Sequence, residues 1–152
     1  MESSNAYLLR QLSQVKKSLF EQGFLDDQFI QLEELQDDVN PNFVEEVVTL
    51  FFKDSTRLML NVEAELEKSP MDFLKLDHHM HQFKGSSASI GAHRVKNECT
   101  LFREYCYQGN ADGCMKSLER VKKEHAILKK KHENYFQLVR QVGPAERATR
   151  PK

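Results

Sequence analysis

The residues with the most chemical potential lie in one short run, His81-Gln82-Phe83-Lys84-Gly85-Ser86-Ser87. An exposed imidazole is largely unprotonated near neutral pH, and it is then a nucleophile. Lys84 follows three residues later. On a helix that spacing puts its ammonium on the same side, within reach of a group carried by His81. Gly85 is the odd member, because glycine in a helix interior costs about 1 kcal/mol against alanine. Ser86, Ser87 and Ser89 are also mediocre helix formers. Core packing does not account for that weakness. A use that does is clearance one turn beyond an imidazole, so that another protein can come close. The chemistry such a set can serve is phosphoryl transfer, which asks mainly for alignment and charge neutralisation.

A helix must position these groups. Phe73, Leu76, Met80, Phe83, Ser87 and Ile90 form a core stripe at helical spacing. Rotation by about 100° gives a second line, which reads Asp77, His81, Lys84, Gly85 and Ala88 and is polar or small throughout. This helix is expected to start near Met71 and to stop at Gly91. The rest of the chain is also helical in pattern, with only 6 Gly and 4 Pro. Leu8, Leu12, Val15 and Leu19 mark a first helix; Phe29, Ile30, Leu32 and Leu35 mark a short second one. A third is expected with Asn40 as N-cap and Pro41 at its first position, both favoured there. Its stripe is Val44, Val47, Val48, Phe51, Leu58, Val62 and Leu66, and Ser69-Pro70 closes it. Val95, Cys99, Phe102 and Cys106 mark a fifth helix that halts at Gly109-Asn110. In the sixth, Cys114, Leu118, Val121, His125, Leu128, His132, Tyr135, Val139 and Val142 alternate steps of four and three, up to Gly143-Pro144. That pattern predicts packing at a shallow angle in a four-helix bundle. The fold class is therefore all-α, in one domain over residues 1–143. The N-terminal helices occupy about 5–37 and the bundle about 41–143, and residues 144–152 form a frayed tail.

Composition narrows the function classes. At 152 residues, 39% hydrophobic and 30% charged, the chain reads as one soluble globular domain. No apolar run approaches the roughly 20 residues of a membrane span. The first residues lack the apolar core of a signal peptide, since Arg10, Gln11 and Lys16 interrupt it. Cys99, Cys106 and Cys114 form no C-x-x-C pair and read as small core residues. Residues 1–80 carry a net charge of −9 and residues 81–152 carry +8. Two halves attracting each other is one reading of this asymmetry, and a basic docking face is another. Aromatics are not interleaved among the basic residues as in a nucleic-acid module, so no nucleic-acid partner is expected. His78, His79 and His81 crowd together, but neither Glu-x-x-His nor His-Glu-x-x-His occurs, and no metal site is expected. His125 and His132 read as packing histidines rather than ligands. A glycine loop for nucleotide binding is missing too, so no kinase activity of its own is expected.

The run HQFKGSSASIGAHRVKN, from His81 to Asn97, resembles the signature of the plant histidine-containing phosphotransfer (HPt) family. The resemblance continues through LFREYC and QGNADGCMKSLERVKKE and covers nearly the whole chain. It implies six helices, the last four forming an up-down bundle with two N-terminal helices packed on it. It implies that His81 is the phosphoacceptor, that Lys84 steadies the phosphoryl group, and that Gly85 leaves room for the incoming domain. Gln82 and Ser86 would flank the site in support. Where relatives carry a run of four serines, this chain has Ala88 at the third position; the match puts it beside the site, and little effect is expected. Some relatives lack the histidine and act as decoys, whereas this sequence retains it. The implied partners are receiver domains: one on a hybrid histidine kinase, which gives the phosphoryl group, and one on a response regulator, which takes it. The resemblance further implies cytokinin signalling, movement between cytoplasm and nucleus, a monomer, and no cofactor of its own, with magnesium held by the receiver. The alternative is a helical adaptor that docks receivers without carrying phosphate.

Overall fold

The computed structural model describes residues 3–143, so the expected tail at 144–152 lies outside the described residues. Six helices follow one another: α1 Ser4–Glu21, α2 Asp27–Glu34, α3 Phe43–Leu66, α4 Phe73–Ser89, α5 His93–Tyr107 and α6 Ala111–Val142. No strand occurs among the described residues, only an isolated bridge between Leu25 and Ala92. Side-chain caps set several of the starts, because the first turn of a helix leaves amide donors unpaired. Ser3 accepts from the Ala6 amide at 3.1 Å, Asp26 from Gln28 at 3.0 Å, and Asn110 from Gly113 at 2.9 Å.

The start of α3 differs from the sequence expectation. The spacing assigns the N-cap to Asn40, but the helix begins at Phe43 with Asn42 at the cap position and no side-chain cap bond. Asn40 is held in the preceding turn, where its amide donates to Asp37 Oδ1 at 2.9 Å. The orphan donor at Val44 is met by Gln36 Oε1 at 3.1 Å, a partner eight residues away that no local cap rule supplies. This helix also ends earlier than Ser69-Pro70, at Leu66.

Helices α3 to α6 form the bundle, with the closest packing between α4 and α5, then between α5 and α6. The α3–α6 seam is the loosest of the four, while α1 lies on α6 and α2 touches α4. All nine positions of the expected α6 stripe are buried, none more than 6% exposed. Phe29, Phe83 and Phe102 are among the largest fully buried side chains. In α3, Phe52 and Ser55 are buried beside the expected stripe, while Val47, Leu58 and Leu66 are only partly buried. The connection between α4 and α5 is tied to the connection between α1 and α2. The Asp26 amide donates to the Gly91 carbonyl at 3.0 Å, and the His93 amide donates to the Phe24 carbonyl at 3.2 Å. Gly91 sits at φ +71, where a Cβ would lie 2.6 Å from the Phe29 backbone nitrogen. The helix that carries His81 is thus fixed at its far end by a backbone contact that leaves no space for a side chain.

Candidate functional site

Helix α4 is anchored at both ends and inward along one stripe. Asp72 caps it, with Oδ1 accepting from the Leu74 and Lys75 amides at 3.1 Å each. Leu76, Met80, Phe83, Ser87 and Ile90 are all buried, 0–1% exposed. Burial of this stripe turns the adjacent line outward, since neighbours on a helix are separated by about 100°. His81 is accordingly exposed and forms no hydrogen bond or ion pair with any described residue. Nothing in the fold competes for its lone pair.

Lys84 is half-buried on the same flank and makes no hydrogen bond or ion pair among the described residues. Its charge reaches toward α5: burial pushes the Cys99 thiol up to about 12, with Glu98 adding to the rise and Lys84 opposing it. Gly85 is exposed, and a Cβ built there would meet nothing within 4 Å. No neighbour among the described residues therefore requires a glycine at this position. Gln82 is exposed beside His81.

The serines are accounted for within the helix. Ser86 donates to the Phe83 carbonyl at 3.1 Å, Ser87 to the same carbonyl at 2.8 Å, and Ser89 to the Ser86 carbonyl at 2.7 Å. Ser87 is fully buried, and its back-bond removes the cost of a buried hydroxyl. Core packing thus explains Ser87 after all. Ser86 is half-buried with its hydrogen turned along the helix.

Sequence spacing did not reveal the polar chain one turn before His81. Arg103 of α5 donates to Asp77 Oδ1 at 2.8 Å and to the Tyr107 hydroxyl at 2.9 Å. Asp77 holds the Arg103 guanidinium above its ordinary pKa. The pair spans 26 residues in sequence, so only the packing of α4 on α5 creates it. It commits the one carboxylate of α4 and leaves His81 one turn from a neutralised neighbour.

The other histidines separate from the site. His78 is exposed and His79 half-buried. His93 sits at the start of α5, with Nδ1 3.4 Å from Asp26 and Nε2 3.2 Å from Asn97. His125 and His132 are core residues, 4% and 2% exposed. Among the described residues no three His, Cys, Asp or Glu gather into a group that could hold a metal ion. No helix among them is long and apolar enough to cross a membrane.

Comparison with known proteins identifies the family and the fold. The Hpt domain family model matches residues 46–131, which span α4, α5 and most of α3 and α6. The rice protein named pseudo histidine-containing phosphotransfer protein 5 is 62% identical over 151 residues, covering 99% of this chain and 98% of its own. Histidine-containing phosphotransfer protein 4 of Arabidopsis thaliana is 63% identical over 116 residues, covering 76% and 91%. The crystal structure of the histidine-containing phosphotransfer protein MtHPt2 from Medicago truncatula superposes with a TM-score of 0.84 at 44% identity, covering 95% of this chain and 96% of that one. The chain belongs to the histidine-containing phosphotransfer family, the phosphocarriers of two-component phosphorelays.

Proposed function

We propose that this protein is a phosphorelay intermediate that takes a phosphoryl group on His81 from the receiver aspartate of a hybrid histidine kinase. It then delivers that group to the receiver aspartate of a response regulator. The observation that carries this reading is His81 itself, exposed and unpartnered on a helix whose next turn is open at Gly85. In the forward step the ring nitrogen that holds the lone pair attacks phosphorus in line. The N–P bond forms, the P–O bond of the acyl phosphate breaks, and the aspartate leaves as a carboxylate. The second ring nitrogen keeps its proton. Lys84 offsets the charge of the transferring group, which is the main help a protein can give such a loose transition state. Gly85 admits the receiver's loops. Gln82 flanks the site, and Ser86, whose hydrogen is committed to Phe83, supports the helix wall rather than the phosphate. Magnesium would be held by the receiver's own carboxylates, a ligand set suited to that ion.

We further place the chain in cytokinin signalling, as a monomer moving between cytoplasm and nucleus, with no kinase activity of its own. Three rice relatives have names that begin with "pseudo", whereas a fourth is named histidine-containing phosphotransfer protein 1; the three favour a second reading as an adaptor that docks receivers without carrying phosphate. One experiment separates the two. Incubation with a phosphorylated receiver domain should give acid-labile, alkali-stable phosphate on this chain, and His81→Gln should abolish it with helical content unchanged. Receiver binding without label in the native protein would establish the adaptor; label persisting in His81→Gln would refute the site.

A further inference from the structure

We propose that Cys106 and Cys114 form a redox-active dithiol, which a hydroperoxide oxidises to a disulfide joining α5 to α6. Both are free cysteines, and their sulfurs lie 3.9 Å apart, which is contact distance. A disulfide bond needs about 2.0 Å, so side-chain rotation and a small shift of the helix ends close it. Cys106 is the next-to-last residue of α5, and Cys114 is in the first turn of α6. The pair thus sits at the turn of a helical hairpin, where helix ends fray and adjust most readily.

Local packing brings the sulfurs together. At Gly113 a Cβ would lie 2.3 Å from the Tyr105 ring, so a larger residue would push the start of α6 off the end of α5. Cys99 is the internal comparison. It is 0% exposed, and its thiol makes no hydrogen bond among the described residues. Burial pushes that thiol up to about 12. In the pair, by contrast, a hydrogen bond from Cys106 holds the Cys114 thiol below its ordinary range, against the effect of burial. The same contact, together with burial, raises Cys106. One sulfur is therefore left with thiolate character, the form that attacks peroxides.

Cys106 is 5% exposed and Cys114 0%, so a small peroxide enters by local opening of this hairpin end. The Cys114 sulfur attacks one peroxide oxygen. The S–O bond forms, the O–O bond breaks, and the leaving alkoxide takes the Cys114 proton. The Cys106 sulfur then attacks the sulfur of this sulfenic acid. The S–S bond forms, the S–O bond breaks, and hydroxide leaves with the Cys106 proton as water. Two thiols have given up two electrons and two protons, and the peroxide has become an alcohol (water, from hydrogen peroxide) and water. Arg103, three residues before Cys106, is the partner of Asp77, so the disulfide would brace the flank that carries His81.

The test exposes the reduced full chain to excess hydrogen peroxide and counts its thiols after denaturation. Of the three thiols one should remain, with a mass loss of about 2 Da and Cys106 joined to Cys114 in the peptide map. Dithiothreitol should restore the rest. The oxidised chain should melt about 5 °C or more above the reduced one, because the bond closes residues 106–114 into a loop. Cys99→Ala should oxidise as the native chain does, whereas Cys114→Ala should form no internal disulfide. Retention of every thiol, oxygen gained on sulfur without a bridge, or a bridge made through Cys99 would overturn the inference. An unshifted melting curve for the bridged chain would overturn the bracing of the hairpin.

Discussion

At the scale of the residue, Gly85 and Lys84 give the sharpest tests, because the fold itself has no use for either. A Cβ at position 85 meets nothing within 4 Å, so Gly85→Ala should simply recover the helix propensity, about 1 kcal/mol. For a chain of this size that is a rise of roughly 2–4 °C in Tm. Gly85→Leu should fold equally well and yet slow transfer from a phosphorylated receiver, because the bulk would stand where a partner approaches. A fall in Tm for Gly85→Ala would show instead that the glycine serves the fold. Lys84→Ala should slow transfer by about tenfold or more, in line with the charge neutralisation asked of such groups. Its stability should change by no more than about 0.5 kcal/mol, as usual for a surface site; the chemical-denaturation midpoint checks this. Much of this site was legible in the sequence because it is local: His81, Lys84 and Gly85 share a helix, and their outward direction follows from the burial of Leu76, Met80 and Phe83. Arg103 was not legible, since its contact with Asp77 arises only when α5 packs on α4. The serines were misjudged for a related reason. Periodicity gives the direction of Ser87, but not the back-bond to Phe83 that lets a hydroxyl sit in the core.

At the scale of the element, the helices whose ends obey local rules were readable and the others were not. The α6 stripe is the clear case: its alternating steps name nine buried positions, and Asn110 and Gly143 bound it as cap and stop. The start of α3 is the counter-case, because its orphan amide is satisfied by Gln36 from the preceding segment. Gly91 could be read as a helix stop, but its second duty could not. At φ +71 it is in the left-handed region, and its missing Cβ admits the Phe29 backbone at 2.6 Å. Gly91→Ala should therefore cost about 2 kcal/mol or more, from backbone strain and from separation of the two connections. Gly109 provides the control. It has a similar φ of +64 with nothing within 4 Å, so Gly109→Ala should cost only the conformational part, about 1 kcal/mol. Urea midpoints of the two variants measure the difference. Equal losses would mean that the contact at Phe29 contributes nothing to holding α4 in place.

At the scale of the whole molecule, the opposite charges of the two halves and the buried histidines together set the response to pH. Residues 1–80 carry −9 and residues 81–152 carry +8, and ion pairs join them: Asp77 with Arg103, Glu63 with Lys122, and Glu45 with Arg140. The halves do attract each other, although such pairs at the surface are each worth only about 0–1 kcal/mol. The larger sensitivity lies inside. Burial lowers the pKa of His125 and of His132 to about 4 from the ordinary 6.5, with Lys129 adding to the effect at His125. Ser55 shares a hydrogen bond with His125 Nε2 at 2.7 Å, while His132 has no such partner among the described residues. Between these two pKa values the unfolded chain binds protons that the folded chain refuses, so stability is complete above pH 6.5 and drains away as the pH falls toward 4. Two such groups give a slope of up to about 2.7 kcal/mol per pH unit. The window from about pH 6.5 to 5 isolates them, because ordinary carboxylates remain ionised there. Urea midpoints taken across that window should fall steeply in the native protein. His132→Phe, which preserves the aromatic contacts with Phe29, Phe52 and Phe136, should remove about half of the slope. Coincident slopes for the two proteins would mean that His132 accepts a proton without opening the bundle, and the seam between α3 and α6 would then be wetter than its burial implies.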